Sequence, residues 1–271
     1  MSTASPPEKP PERPDDDEKP PKRPDDNQRG ERYLTLVEHL HELRYRVMVS
    51  AAAVVFGLAI STYFGDELIR VLKEPAESKQ NVNLSLQFIE PFELFATYFR
   101  VALLGGLVIA MPVIVYQVLA FVTPGLNANE RWWLRGTVVG ASGLFLGGVL
   151  FSYFFALPPA LDFLLDPPFG ENLAEPNIRI SSYIDFVTRL LFWSGVSFET
   201  PLVVMFLARF RIVSAGQLLR WWRYALVAAF VIAAVVTPTW DPITQTVVAG
   251  PIIVLYFLGI GLALIVQPRG S

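Results

Sequence analysis

The sequence predicts an all-α polytopic membrane protein with six transmembrane helices, N-in and C-in, whose fifth and sixth helices are short. Three observations predict it. Apolar residues make up 52% of the 271 residues and are gathered into long uncharged blocks. Those blocks reach the roughly 20 residues a helix needs to cross a bilayer core. The Lys and Arg residues between them fall mainly in alternate connections, as cytoplasmic loops require.

Residues 6–26 read PPEKPPERPDDDEKPPKRPDD, alternating proline with charge. Such a composition cannot bury enough apolar surface to offset the entropy of ordering it, so residues 1–32 are predicted to form a disordered cytoplasmic tail and 33–271 the six-helix transmembrane domain. No apolar run precedes the first span, and no cleavable secretory signal is expected. The first span covers 47–65, an uncharged run between Arg46 and Asp66. The second, 101–123, contains Pro112, which removes one backbone donor and should bend it. The third, 136–161, carries Gly140, Gly143, Gly147 and Gly148, small residues that let helix backbones approach closely in lipid. The fourth covers 183–208, the fifth 224–240, and the sixth 242–266 with Pro251 inside it. At about 1.5 Å per residue the fifth reaches only about 25 Å, short of a ~30 Å hydrocarbon core, so the membrane must thin there or a partner must cover the mismatch.

Orientation follows from the basic residues. The short fourth-to-fifth connection holds Arg209, Arg211, Arg220 and Arg223, while the connections of opposite parity hold only Arg70, Lys73, Lys79, Arg100, Arg179 and Arg189. This places both termini inside. A net charge of −3, with both signs spread through tail and connections, gives no patch for nucleic acid. The absence of cysteine removes disulfides, thiolate catalysis and Cys-ligated metal sites. The two histidines, His39 and His41, both precede the first span and lack the HExxH spacing, and no phosphate-binding Gly-rich loop is present. Neither an enzyme nor a bound cofactor is expected.

The polar exceptions carry the functional information. Glu199 interrupts the fourth apolar run with nine uncharged residues on each side. A charge at that depth costs about 2.5–3.5 kcal/mol on insertion scales. It should therefore face a protein interior or a hydrated groove, be protonated, or hold helices together through a buried hydrogen bond.

Four segments, in chain order, resemble the TatC family, the signal-peptide-recognising core of the twin-arginine protein translocase: HLHELRYR (39–46), MPVIVYQVLAFVTPGLNANE (111–130), GVSFETP (195–201) and TPTWDPITQT (237–246). The resemblance covers roughly 38–266. It implies a signal-peptide receptor and scaffold in the cell inner membrane that exports folded proteins using the proton-motive force. It also implies that Glu42 and Glu130 clamp the paired arginines of a signal peptide, since two guanidinium groups need carboxylates that accept charge-assisted hydrogen bonds. As plain interfacial charges, the same two acids would be solvated or paired with Arg44 or Arg131.

Arg44 and Arg46 resemble the basic pair of the family, a role that membrane anchoring by snorkelling explains nearly as well. Phe121 matches an aromatic of the second-helix motif that would pack the apolar part of a signal. Glu199 matches a position lining a concave, partly hydrated face. Thr237, Asp241 and Gln245 are implied to contact the single-span TatA and TatB-type subunits, and further copies of the chain itself are implied partners. A small secondary transporter is the alternative. Against it stand the absence of an internal repeat and of a second intramembrane charge able to form a coupled site.

Overall fold

A computed structural model of the chain describes residues 24–77, 89–122, 131–165, 179–209, 212–237 and 242–266. The described elements are helices: α1 (Pro24–Tyr63), α2 (Gly65–Glu77), α3 (Pro91–Val122), α4 (Arg131–Phe151), a π turn (Ser152–Ala156), α5 (Leu157–Leu165), α6 (Ile180–Phe198), α7 (Thr200–Arg209), α8 (Ala215–Arg220), α9 (Trp222–Val236) and α10 (Pro242–Val266). The chain divides into two units, Met1–Arg44 and Tyr45–Ser271.

In the first unit the described residues form the N-terminal part of α1. The helix begins at Pro24, inside the segment expected to be tail as far as residue 32. A proline is tolerated in the first turn, where its missing N–H would find no helical acceptor. Residues 1–23 of the expected tail lie outside the described residues.

The second unit is a helical bundle with two buried apolar clusters. The larger joins Leu72 of α2, Val101 of α3, Leu161 of α5, Ile184 and Leu190 of α6 and Ala249 of α10. The smaller joins Val204 and Ala208 of α7 to Leu218 of α8 and Ile260 and Ala263 of α10. Outside these clusters the bundle turns large apolar side chains outward, among them Phe56, Phe154, Phe155, Val231, Val254 and Ile265. Among the described residues five stretches are long and apolar enough to cross a membrane: Val37–Tyr63, Pro91–Phe121, Arg135–Leu164, Ile180–Arg209 and Thr244–Ile265. Trp222–Val236 is a shorter apolar helix. Outward apolar faces on this scale are stable only with lipid as the solvent.

Helix α9 is 15 residues long, about 22 Å, in line with the short fifth helix expected. Helix α10 corrects the expectation for its neighbour: at 25 residues, about 37 Å, it is not short. Pro242 opens it at a position that needs no N–H, and it continues through Pro251. The glycine expectation is corrected in part. A Cβ on Gly148 would lie 2.7 Å from the Ser194 carbonyl oxygen and 2.9 Å from Gly195 Cα, so α4 and α6 touch backbone to backbone there, whereas Cβ atoms on Gly140, Gly143 and Gly147 would meet nothing. The tightest such contact of α1 is with α3, where a Cβ on Gly57 would lie 2.4 Å from the Gly106 carbonyl oxygen.

Helix α2 lies between the first and second expected spans. Leu68, Leu72 and Ala76 recur every fourth residue and pack inward, while Glu67, Arg70 and Glu74 face out. Its Pro75 cannot donate to the Val71 carbonyl one turn back. Tyr153 fills that vacancy, its hydroxyl donating to Val71 O at 2.9 Å, and the buried Tyr183 hydroxyl donates to Leu72 O at 2.7 Å. At the preceding helix end Tyr98 donates to Thr62 O at 2.8 Å.

The starts of α3 and α6 are clasped by Glu93, which is 7% exposed. Its carboxylate accepts hydrogen bonds from Ile89 N at 2.9 Å, Glu90 N at 3.3 Å and Ser181 N at 3.2 Å, and from the Ser181 hydroxyl. Arg179 and Glu90 pair at 3.4 Å beside it.

The tyrosine bonds have a measurable consequence. Tyr153→Phe leaves a proline-orphaned carbonyl without its donor and Tyr183→Phe deletes a buried bond. Each should cost about 1–3 kcal/mol and lower the unfolding midpoint in detergent. Tyr224→Phe, at an exposed ring, should leave it unchanged; equal midpoints for all three variants would contradict this account.

Candidate functional site

Arg46 and Gln117 join α1 to α3. The half-buried Arg46 donates from Nη1 to Gln117 Oε1 at 3.3 Å. Phe121 follows Gln117 by one helical turn and so shares its face of α3, where it is half-buried. Arg46, singled out from sequence, is thus bonded to Gln117, which was not, one turn before Phe121. Gln117 carried a signal, being the one amide in the apolar run 101–122. An amide in that environment is costly unless it is hydrogen-bonded.

Glu42 and Arg44 lie on the part of α1 that belongs to the first unit, Glu42 half-buried and Arg44 exposed. Glu130 lies outside the described residues, so the Glu42–Glu130 clamp has no described geometry.

Glu199 sits at an elbow. Pro201 cannot donate to the Ser197 carbonyl and its ring crowds that oxygen. Helix α6 therefore ends at Phe198, the Glu199 N–H turns to Val196 O at 3.1 Å, and α7 restarts with Val203 N–H donating to Glu199 O at 3.0 Å. The fourth span, expected to be continuous, is two helices meeting at the acid. The elbow presses on α10, where a Cβ on Gly259 would lie 2.9 Å from Pro201 Cα. Glu199 Oε1 is buried and accepts no hydrogen bond among the described residues. Of the readings open to it, the helix-holding hydrogen bond is thus not made within those residues. What the geometry offers is a carboxyl group held at membrane depth with an open valence, able to keep a proton or to meet a polar group brought to it.

The group near the end of α9 is divided. Thr237 is buried and caps α9, its hydroxyl donating to Ala233 O at 2.9 Å. Its proton is therefore committed to its own helix. Gln245 is half-buried on the first turn of α10, and Asp241 lies outside the described residues.

At the opposite end of α9, Ser214 and Gln217 form a capping box that starts α8: Gln217 N donates to Ser214 Oγ at 3.2 Å and Ser214 N to Gln217 Oε1 at 2.9 Å. Tyr256 of α10 donates to Leu218 O at 2.7 Å and ties this short helix down. Arg209, Arg220 and Arg223 are exposed here, alongside Trp221 and Trp222. Basic residues interleaved with tryptophan are the mark of a membrane–water boundary. The two tryptophans were not singled out from sequence, although their adjacency to Arg220 and Arg223 carried the signal.

Comparison with known proteins agrees with this arrangement. Residues 38–251 match the family profile described as Sec-independent protein translocase protein (TatC). The chain is 40% identical over 229 residues to the chloroplastic Sec-independent protein translocase protein TATC of Oryza sativa subsp. japonica, covering 84% of this chain and 62% of that one, so it spans less than two thirds of the rice protein's length. It is 37% identical over 228 residues to the Sec-independent protein translocase protein TatC of Synechocystis sp., covering 84% and 87%. A crystal structure described as the twin-arginine translocase receptor TatC superposes with a TM-score of 0.75 at 35% identity, covering 84% of this chain and 99% of that one. The matched span contains the α1–α3 link, the Glu199 elbow and the α8 boundary, and the chain belongs to the TatC family of Sec-independent protein translocase proteins.

Proposed function

We propose that the chain is the signal-peptide receptor and scaffold subunit of a twin-arginine translocase, exporting folded proteins with energy from the proton-motive force. The observation that carries this reading is the match, over nearly the whole length of the solved chain, to a structure described as the twin-arginine translocase receptor. In this reading α9 is a sixth span, both termini are cytoplasmic and the protein resides in the cell inner membrane. The exposed arginines and tryptophans at the α7–α9 connection support that orientation. The chain performs no covalent chemistry of its own and needs no cofactor. A secondary transporter is not favoured by any of these comparisons.

Recognition is electrostatic. Glu42 and Glu130 accept paired hydrogen bonds from the two guanidinium groups of the signal, which lysines reproduce poorly. Arg46 holds the cytoplasmic end of α1 on α3 through Gln117 and so sets the floor against which Phe121 receives the apolar part of the signal. Arg44 anchors α1 at the headgroups. The carboxyl of Glu199 offers a polar foothold partway across. At the outer end of the short α9, TatA and TatB-type spans cover the mismatch and bond to Gln245 and Asp241, with Thr237 shaping the turn beneath them. Further copies of the chain complete the complex.

Three measurements test this. The Glu42→Gln/Glu130→Gln double variant should bind a twin-arginine precursor at least tenfold more weakly, the loss of charge-assisted bonds worth about 1.5–3 kcal/mol each, while remaining inserted in the membrane. Unchanged affinity would refute the clamp. With no native cysteine, a single probe at Gly216 should label only from the cytoplasm and one at Glu74 only from outside; reversal at either site overturns the topology. Gln245→Leu should loosen a copurifying single-span subunit by about 1 kcal/mol and leave precursor binding intact. Loss of precursor binding with the subunit retained would mean the two surfaces are exchanged.

A further inference from the structure

Two of the basic residues that run against the positive-inside asymmetry, Arg100 and Arg189, meet in the fold. Both pair with the same carboxylate: Arg189 Nη2 lies 2.8 Å from Asp185 Oδ2, and Arg100 Nη1 lies 3.8 Å from Asp185 Oδ1. Among the described residues one acid thus serves two guanidinium groups, which leaves one positive charge in surplus. The three side chains are 41–45% exposed, facing out of the bundle rather than into it. They line one part of a groove of about 290 Å³ between α3 and α6, whose other walls are Leu103, Leu104, Leu107, Thr188 and Phe192. The Glu93 clasp fixes the two helices against each other at that end.

Depth decides what such a groove meets. The apolar stretch Pro91–Phe121 has 31 residues, about 46 Å of helix, and overshoots a ~30 Å core by about 8 Å at each end. Arg100 lies about 14 Å from its start and Arg189 about 14 Å from the start of α6, so their backbones sit about 6 Å inside the hydrocarbon boundary and their long side chains reach back to it. A surplus positive charge there, facing outward, is costly unless an anion balances it. The anion in reach at that depth is a lipid phosphate, and the apolar side of the groove continues toward the membrane interior, where the acyl chain of that lipid runs.

We propose that the α3–α6 groove is a phospholipid site, the phosphate held by Arg100 and Arg189 and one acyl chain lying along Leu103, Leu107 and Phe192. The phosphate supplies the charge that Asp185 alone leaves unbalanced. A bound lipid here pins the outer ends of α3 and α6 from outside, as Glu93 pins them from within. The site uses none of the residues assigned to signal recognition or partner contact, so it stands or falls separately from the receptor reading.

The test is lipid retention by the purified full-length protein in detergent, read by native mass spectrometry with added phosphatidylglycerol or diacylglycerol. Phosphatidylglycerol should be retained and diacylglycerol, which has the chains without the phosphate, should not. Arg100→Gln should weaken phosphatidylglycerol retention on the order of tenfold, as expected for one lost charge-assisted contact. Asp185→Asn, which removes the competing carboxylate, should strengthen it, and this opposite sign separates a binding effect from loss of fold. Excess inorganic phosphate should not displace the lipid, because the acyl chain holds it. Equal retention of the two lipids, an unchanged affinity in Arg100→Gln, weaker retention in Asp185→Asn, or displacement by inorganic phosphate would each overturn the proposal.

Discussion

In a bilayer no water is available to a stray backbone group, so every carbonyl and N–H freed where a helix bends or stops must find a partner inside the protein. The bundle is organised around this constraint. Four tyrosine hydroxyls, on Tyr98, Tyr153, Tyr183 and Tyr256, donate to backbone carbonyls of Thr62, Val71, Leu72 and Leu218. Three of these carbonyls lie at a helix end or opposite a proline. A tyrosine suits the task because its ring is apolar enough for the membrane while its tip remains a donor. Each bond also crosses between elements distant in sequence, so satisfying the backbone and fixing the tertiary arrangement are the same event.

Prolines set where the bends fall. Pro158 and Pro159 cannot donate, and their rings crowd the carbonyls one turn earlier. The helix widens into the Ser152–Ala156 π turn, with Leu157 N–H reaching back to Ser152 O, before it resumes as α5. Pro201 breaks the fourth span at Glu199. Pro112 and Pro251, by contrast, lie within helices that continue through them. The bends give irregular backbone within the apolar stretches, and one of them carries Glu199, whose buried Oε1 accepts no hydrogen bond among the described residues.

The two ends of the bundle differ chemically. One carries a capping box, exposed arginines and paired tryptophans at α8. The other carries the amphipathic α2, the Glu93 clasp and the Arg100–Asp185–Arg189 cluster, where basic residues are paired with acids. An arginine matched to a carboxylate presents less net charge than a free one, and in the Arg100–Asp185–Arg189 cluster one carboxylate offsets one of the two guanidinium charges.

Composition and block length alone determined that the chain is helical and membrane-embedded, because lipid removes the charges from any helix face it touches and leaves long apolar runs that no other class of protein shows. The same reasoning singles out Glu199, a charge that lipid makes conspicuous, and the motif resemblance singles out Glu42, Glu130, Arg44, Arg46 and Phe121 as candidates. It did not reach α2, Glu93 or Gln117. Helix α2 is short and half polar, so it has the periodicity of a surface segment and none of the signature of a span. Glu93 and Ser181, or Arg46 and Gln117, stand 88 and 71 residues apart. Nothing local marks them as partners. Which polar groups satisfy one another is settled only when distant helices pack, because a hydrogen bond depends on positions within a few tenths of an ångström, and hydropathy constrains no position that finely.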